Sequence, residues 1–208
     1  MKYALFQGRF QPPTIAHVCT VETILDKWQF LVICVVYNTP KPDWFDGRRW
    51  GEYISASEKT SYAPGKNPFA PNEVKEMWDA WISGRNLNHR ISCDISKRPY
   101  FDKEFNLRYP PAEFMIVRPA KKDGDASIDA LRGEIFPELL GRTYEFVSPP
   151  FKLHNTRIIE RVMGGGEPWR KFIPRGAYEV FLRINGPARI EDIYRAKQKQ
   201  VIYNGEEK

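Results

Sequence analysis

The residues best suited to chemistry lie together near the start of the chain. An apolar run, residues 3–6, ends at Gly8 and is followed by Arg9, Phe10, Gln11, Pro12, Pro13 and Thr14, then by His17 where a helix should begin. A strand that feeds a helix through such a turn makes an anion site, because a helix start has backbone N–H groups without partners and the positive end of a dipole. Gly8 permits close backbone approach, and Arg9 and His17 add donors suited to phosphate oxygens. Thr14 can donate its hydroxyl or serve as the N-cap. Gly8, Phe10 and Gln11 can offer backbone N–H groups. Neither a Walker A loop nor a dinucleotide fingerprint has this glycine spacing.

Further on, residues 156–163 read as a helix whose first turn holds Thr156, with Asn155 just before it. Arg157 and Arg161 are four apart and share one face. That face is either a second set of phosphate ligands or a solvated basic surface. Ile158, Ile159, Val162 and Met163 read as core. Trp44, Trp50, Phe101 and Phe105 fall in loops and offer rings for stacking on a planar base, or a cluster beneath a long loop. Lys121 and Lys122 read as surface.

The elements that must position these residues alternate. Strands are expected over residues 3–7, 30–37, 91–95, 114–117 and 144–147, and helices over 17–27, 72–83 and 156–163, with Asn72 as the cap of the second. Residues 30–37 are continuously apolar, as in a strand buried on both faces. The segment 38–71 is long, rich in Pro and Gly, and suits a lid over a strand-end site. Residues 97–111 read as a polar, aromatic loop, and 128–140 as partly helical. Residues 174–184 read as a helix broken by Gly186-Pro187, with a short amphipathic piece after it and a charged, frayed tail from Lys197. The pattern predicts an α/β class with a Rossmann-like parallel sheet flanked by helices and a small C-terminal helical segment. The expected division is 1–150 as the core, 151–196 as a helical segment completing the nucleotide site, and 197–208 as a flexible tail. In such sheets ligands bind at the carboxyl ends of strands, at a topological switch point.

Composition agrees with a globular chain that takes anionic ligands. The 208 residues are 42% hydrophobic and 28% charged with a net charge of +6, and the pI is about 9.2. No apolar run approaches membrane-spanning length and no signal-peptide pattern opens the chain. The three cysteines, Cys19, Cys34 and Cys93, sit in apolar settings and read as reduced and buried, which suits a cytoplasmic protein. No Cys/His cluster has zinc spacing. No RNA-binding motif is recognisable, which places nucleic acid last among partners.

Gly8-Arg9-Phe10-Gln11-Pro12-Pro13-Thr14-Ile15-Ala16-His17 resembles the Gly-Arg-Phe-Gln-Pro-Phe-His-x-Gly-His signature of nicotinamide-nucleotide adenylyltransferases, in the wider His-x-Gly-His nucleotidyltransferase superfamily. His154-Asn155-Thr156-Arg157-Ile158-Ile159 resembles that family's Ser-Gly-Thr-x-Ile-Arg segment. Gly166-Glu167-Pro168-Trp169 resembles the segment after it, and Asn67-Pro68-Phe69 the family's Asn-Pro-Phe. The matches run in order from residue 4 to about 194. The family's first histidine is Thr14 here, its glycine is Ala16, and its arginine is Ile159.

The resemblance implies AMP transfer from ATP to nicotinamide mononucleotide, giving NAD and pyrophosphate, with Mg²⁺ carried on the triphosphate. It assigns His17, Thr14 and Arg9 to the reacting phosphates, and Gly8, Phe10, Gln11, Asn155, Thr156, Arg157 and Arg161 to nucleotide binding. The departures keep two alternatives open: adenylyl or cytidylyl transfer to another phosphorylated acceptor, and a catalytically weak nucleotide binder. Homo-oligomer formation stays open as well.

Overall fold

Leu31 to Val35 are all buried, which is what an unbroken apolar run requires of a strand inside a sheet covered on both faces. The computed structural model describes residues 3–37, 67–96, 102–120, 141–151, 155–165 and 168–205, with only the backbone described at 155–156 and 197–205. In chain order its elements are β1 (Tyr3–Gly8), α1 (Ile15–Leu25), β2 (Leu31–Val36), α2 (Pro71–Gly84), β3 (Ile91–Ser96), α3 (Lys103–Arg108), β4 (Phe114–Pro119), β5 (Tyr144–Val147), α4 (Asn155–Met163), a 3₁₀ turn (Trp169–Lys171), α5 (Arg175–Arg183) and α6 (Gly186–Gly205).

The strands form one parallel sheet in the order β3-β2-β1-β4-β5. The chain steps outward from β1 to β2 and β3, then returns to the other side of β1 for β4 and β5. The switch point therefore lies between β1 and β4, where ligands of such sheets bind. Alternate residues of β1 serve opposite faces. Ala4 and Phe6 join the larger core, with side chains from α1, α2, α4, α5 and α6. Leu5 joins Val32, Cys34, Ile116 and Phe105 on the other face.

Four local expectations are corrected. Ala70, not Asn72, is the N-cap of α2. Pro71 holds the first helical position, where its missing N–H costs nothing, so the cap must precede it. The segment read as a loop over 97–111 contains α3, whose N-cap Asp102 accepts the Phe105 N–H at 3.0 Å; a helix this short shows no periodicity. The expected break at Gly186-Pro187 is present: α5 ends at Arg183 and α6 opens at Gly186, where proline is tolerated in a first turn. That helix runs through Gly205, into the stretch read as a tail. Cys34 and Cys93 are free and buried, but Cys19, also free, is partly exposed.

At the amino edge of the sheet a buried arginine ties strands to α3. Arg142, 1% exposed, donates to the Phe114 carbonyl at 3.2 Å, to Asn106 Oδ1 at 2.6 Å and to the Tyr109 carbonyl at 2.6 Å. A buried guanidinium is tolerated when its donors are met. Among the described residues no helix is long and apolar enough to cross a membrane.

Candidate active site

The turn between β1 and α1 is built around one ring. Phe10 has φ 46, a conformation unusual for a side chain of its size, and it is buried. Its ring meets Phe6, His17 and Trp78 edge-on, with centroids 5.2, 5.1 and 5.2 Å away. A Cβ on Gly8 would lie 2.8 Å from Phe10 Cζ. The Phe10 ring folding back over Gly8 is by itself a reason for glycine at this position, beside the close backbone approach expected from the sequence. The Gln11–Pro12 peptide is cis, and Pro12, Pro13 and Thr14 are buried behind it. The Phe10 side chain belongs to the core, which leaves only its backbone to serve a ligand.

Thr14 is the N-cap of α1 and His17 the third residue of its first turn. The Thr14 backbone N–H donates to His17 Nδ1 at 3.1 Å, and Thr14 Oγ1 lies 3.0 Å from the same nitrogen. A nitrogen that accepts an N–H carries no proton, so the ring proton sits on Nε2. Burial pushes the imidazole pKa down to about 4, although the residue as a whole keeps some exposed surface. His17 is thus a neutral imidazole presenting an Nε2–H donor. No acidic residue lies in the first turn of α1, so the positive end of that helix is not answered by a carboxylate of its own. The Ile15 N–H is taken by the Phe172 carbonyl at 2.8 Å, which docks the segment after the 3₁₀ turn against the start of α1.

Two side chains of the turn reach sideways to residues 67–70. Arg9 Nη1 donates to Asn67 Oδ1 at 3.4 Å, and partial burial lowers its pKa from the ordinary arginine value. The Gln11 amide brackets Phe69: its Nε2 donates to the Phe69 carbonyl at 3.0 Å and its Oε1 accepts the Phe69 N–H at 2.9 Å. The Gln11 side chain is engaged with protein; the group expected to serve a ligand is its backbone N–H, which is a separate matter.

The second candidate group rides on α4, which leaves the same carboxyl edge from β5. Asn155 and Thr156 stand in its first turn. Ile158 is buried, Ile159 and Val162 pack against the larger core, and Arg157 and Arg161 are exposed. A charge at position 159 would face the core, so any cation that α4 offers comes from its exposed face. Phe105 is fully buried and cannot stack on a ligand. Trp44, Trp50, Phe101, Lys121, Lys122, the loop 38–66 and the stretch 128–140 lie outside the described residues.

Beside Asn67, which entered through the Asn-Pro-Phe resemblance, two residues that sequence reading missed complete the surroundings: Glu73 and Arg189. Glu73 Oε2 accepts the Ala70 N–H at 2.7 Å, and Arg189 pairs with the same carboxylate. A glutamate in the first turn of a helix was a usable capping signal. Nothing in the sequence links it to Arg189.

No family model matches the chain. It is 26% identical over 204 residues to a nicotinamide-nucleotide adenylyltransferase of Pyrobaculum neutrophilum, covering 91% of this chain and 93% of that protein. It is 27% identical over 194 residues to the protein of the same name from Pyrococcus furiosus, with 91% and 88% covered. Among solved structures it resembles a bifunctional NMN adenylyltransferase/ADP ribose pyrophosphatase of Francisella tularensis, with a TM-score of 0.64 at 15% identity over 98% of this chain. A second structure of that protein, complexed with AMP and a manganese ion, gives 0.60 at 16%. The chain spans 55% of the Francisella protein, and at these identities the likeness is one of fold. By sequence, across nine tenths of its length, the chain is a homologue of proteins named nicotinamide-nucleotide adenylyltransferase, and its parallel sheet flanked by helices shares the fold of the Francisella structure.

Proposed function

We propose that the chain transfers AMP from ATP to nicotinamide mononucleotide, forming NAD and pyrophosphate. A phosphate oxygen of the acceptor attacks the α-phosphorus of ATP. The bond from that phosphorus to the oxygen bridging to the β-phosphate breaks, and pyrophosphate leaves with the electron pair. The reaction needs no protein nucleophile; it needs the phosphates aligned and their charge neutralised.

The carrying observation is the start of α1, where a neutral imidazole with its proton on Nε2 stands in a first turn that holds no carboxylate. In this reading His17 donates Nε2–H to an α-phosphate oxygen as charge builds there. Thr14 fixes the imidazole tautomer, and Arg9 adds positive charge from the turn. Gly8, Phe10 and Gln11 shape the turn, and the turn's backbone N–H groups face the phosphates. The first turn of α4, with Asn155 and Thr156, and its exposed Arg157 and Arg161 serve the rest of the triphosphate. Segment 151–196 completes the nucleotide site through the Phe172 carbonyl and α6.

Among the described residues no group of three His, Cys, Asp or Glu side chains has the arrangement to hold a metal ion. The donors around the turn are N–H, hydroxyl and guanidinium groups, which suit anions. Mg²⁺ is therefore assigned to the substrate, arriving on the ATP phosphates, where it neutralises charge.

The packing of Ile159 in the core favours, as a second reading, a chain that binds nucleotides and turns over weakly. One experiment separates the two. Pyrophosphate release is measured with ATP and a panel of phosphorylated acceptors, nicotinamide mononucleotide among them. Release that depends on that acceptor supports transfer. ATP binding without release under any acceptor supports the binder.

A further inference from the structure

Residues 67–70 have no regular structure of their own, yet they are held from two directions. On one side the Gln11 amide brackets the Phe69 backbone. On the other stands Arg189, in the first turn of α6. Its Nη1 donates to Glu73 Oε1 at 2.7 Å and its Nη2 to Glu73 Oε2 at 3.0 Å. Nη2 also donates to the Pro68 carbonyl. The guanidinium carbon lies 5.0 Å from the centroid of the Phe69 ring, whose neighbour Phe181 is 5.8 Å away. Glu73 in turn takes the Ala70 N–H, and Arg189 is the leading cause that lowers its pKa.

An exposed ion pair between helices contributes little. This one is partly buried and has a different form. A single planar guanidinium pairs a carboxylate through both its terminal nitrogens, donates to a backbone carbonyl and stacks on a ring, which lysine cannot do. What it fixes is the segment that carries Asn67, the partner of Arg9. That segment enters α2 after β2, and β2 flanks β1 on the side away from β4 and β5. In the function proposed above, on which this inference rests, ATP lies between the β1 turn and α4, which follows β5. The segment 67–70 then borders the other side of the turn, where the acceptor enters.

We propose that Arg189 is a positioning residue for the phosphorylated nucleotide acceptor. It holds residues 67–70 against the β1 turn, so that Asn67 and the backbone beside it form a fixed wall of the acceptor site. Arg189 itself touches no substrate. The C-terminal helix thereby sets acceptor affinity from outside the site.

The test compares Arg189→Met, Arg189→Lys and Glu73→Gln with wild type. It measures kcat, the KM values for ATP and nicotinamide mononucleotide, melting temperature, and hydrogen exchange at the Phe69 and Ala70 amides. In Arg189→Met the acceptor KM should rise about tenfold, with kcat and the ATP KM within about threefold of wild type, the pattern of lost ground-state binding. Protection at both amides should fall, and Arg189→Lys should recover part of each effect. An unchanged acceptor KM in a folded variant overturns the proposal, as does a lower melting temperature as the sole change. If Arg189→Met does not fold, Arg189→Lys and Glu73→Gln carry the same comparison, and an unchanged acceptor KM in both overturns it. A wild-type protein that releases no pyrophosphate with any acceptor sinks the function proposed above instead. The exchange difference then still decides whether Arg189 holds the segment, with equal protection in wild type and variant counting against it.

Discussion

α1 and α2 both begin at the carboxyl edge of the sheet, and in both the third residue of the first turn reaches back to the N-cap backbone N–H. In α2 that residue is Glu73, an anion that answers the helix dipole and is itself matched by Arg189. In α1 it is His17, which binds the cap without bringing charge, in a turn that holds no acid. The start of α2 is answered by a carboxylate of its own first turn, and the start of α1 is not. A helix start becomes a candidate anion site through what its capping residue leaves unanswered, rather than through being a helix start.

The most drastic way to break this contrast is to give α1 the cap of α2. His17→Glu keeps a group that can accept the Thr14 N–H but places a carboxylate where a phosphate would go. We expect turnover to fall at least about 10²–10³-fold, the loss typical of one preorganised donor, and the ATP-induced rise in melting temperature to vanish. His17→Ala should lose similar turnover while retaining part of the ATP-induced rise. A full rise in the Glu variant would show that the ligand does not sit at this helix end.

Next comes the support of the turn. Gly8→Ala forces Phe10 out of the space it fills, and overpacking of this kind costs about 1–3 kcal/mol, readable by chemical denaturation together with reduced turnover. The mirror experiment acts on the closed end. Glu73→Ala removes the α2 cap, at a cost of about 1 kcal/mol, and should leave the ATP-induced rise at its wild-type size. A smaller rise there would mean that the two helix ends are not independent.

Acid should separate the two caps. Burial depresses the His17 pKa from 6.5 to about 4, so the unfolded chain takes up that proton before the folded one does. Stability is then lost as pH falls from 6.5 to about 4. The Glu73 pKa is lowered from 4.5, so its contribution is lost only as pH falls below that value. Melting temperature followed against pH should lose the upper part of the slope in His17→Gln and the lower part in Glu73→Gln. The smallest effects belong to Arg157→Ala and Arg161→Ala, which should each trim the ATP-induced rise. Equal rises in wild type and both variants would assign these arginines to the solvated surface.

Much of this was legible in the sequence. The unbroken apolar run of β2 announced a parallel sheet, and the glycine, prolines and histidine after β1 announced the turn that leads into α1. What could not be read were partnerships set by tertiary folding. One need for Gly8 comes from a ring two residues on that turns back over it. The bracketing of Phe69 by the Gln11 side chain spans 58 positions and leaves no local pattern. Arg189 and Glu73 are separated by 116 positions, and no local pattern joins them. Proline is ambiguous in sequence because it ends one helix and opens another with the same ring: Pro71 and Pro187 both stand in first turns.

The bond from the Ile15 N–H to the Phe172 carbonyl has a consequence for how the protein is made. Chains emerge from the ribosome at about 5–20 residues per second, so the motif turn is exposed on the order of ten seconds before the carbonyl that docks against it. Arg189 follows later still. A nascent chain carrying all five strands therefore has the turn's contacts with Phe69 and Trp78 but not the bond to Phe172. The docking of Phe172 on the start of α1 is among the last contacts to form, and a ribosome halted before Phe172 holds the sheet without it.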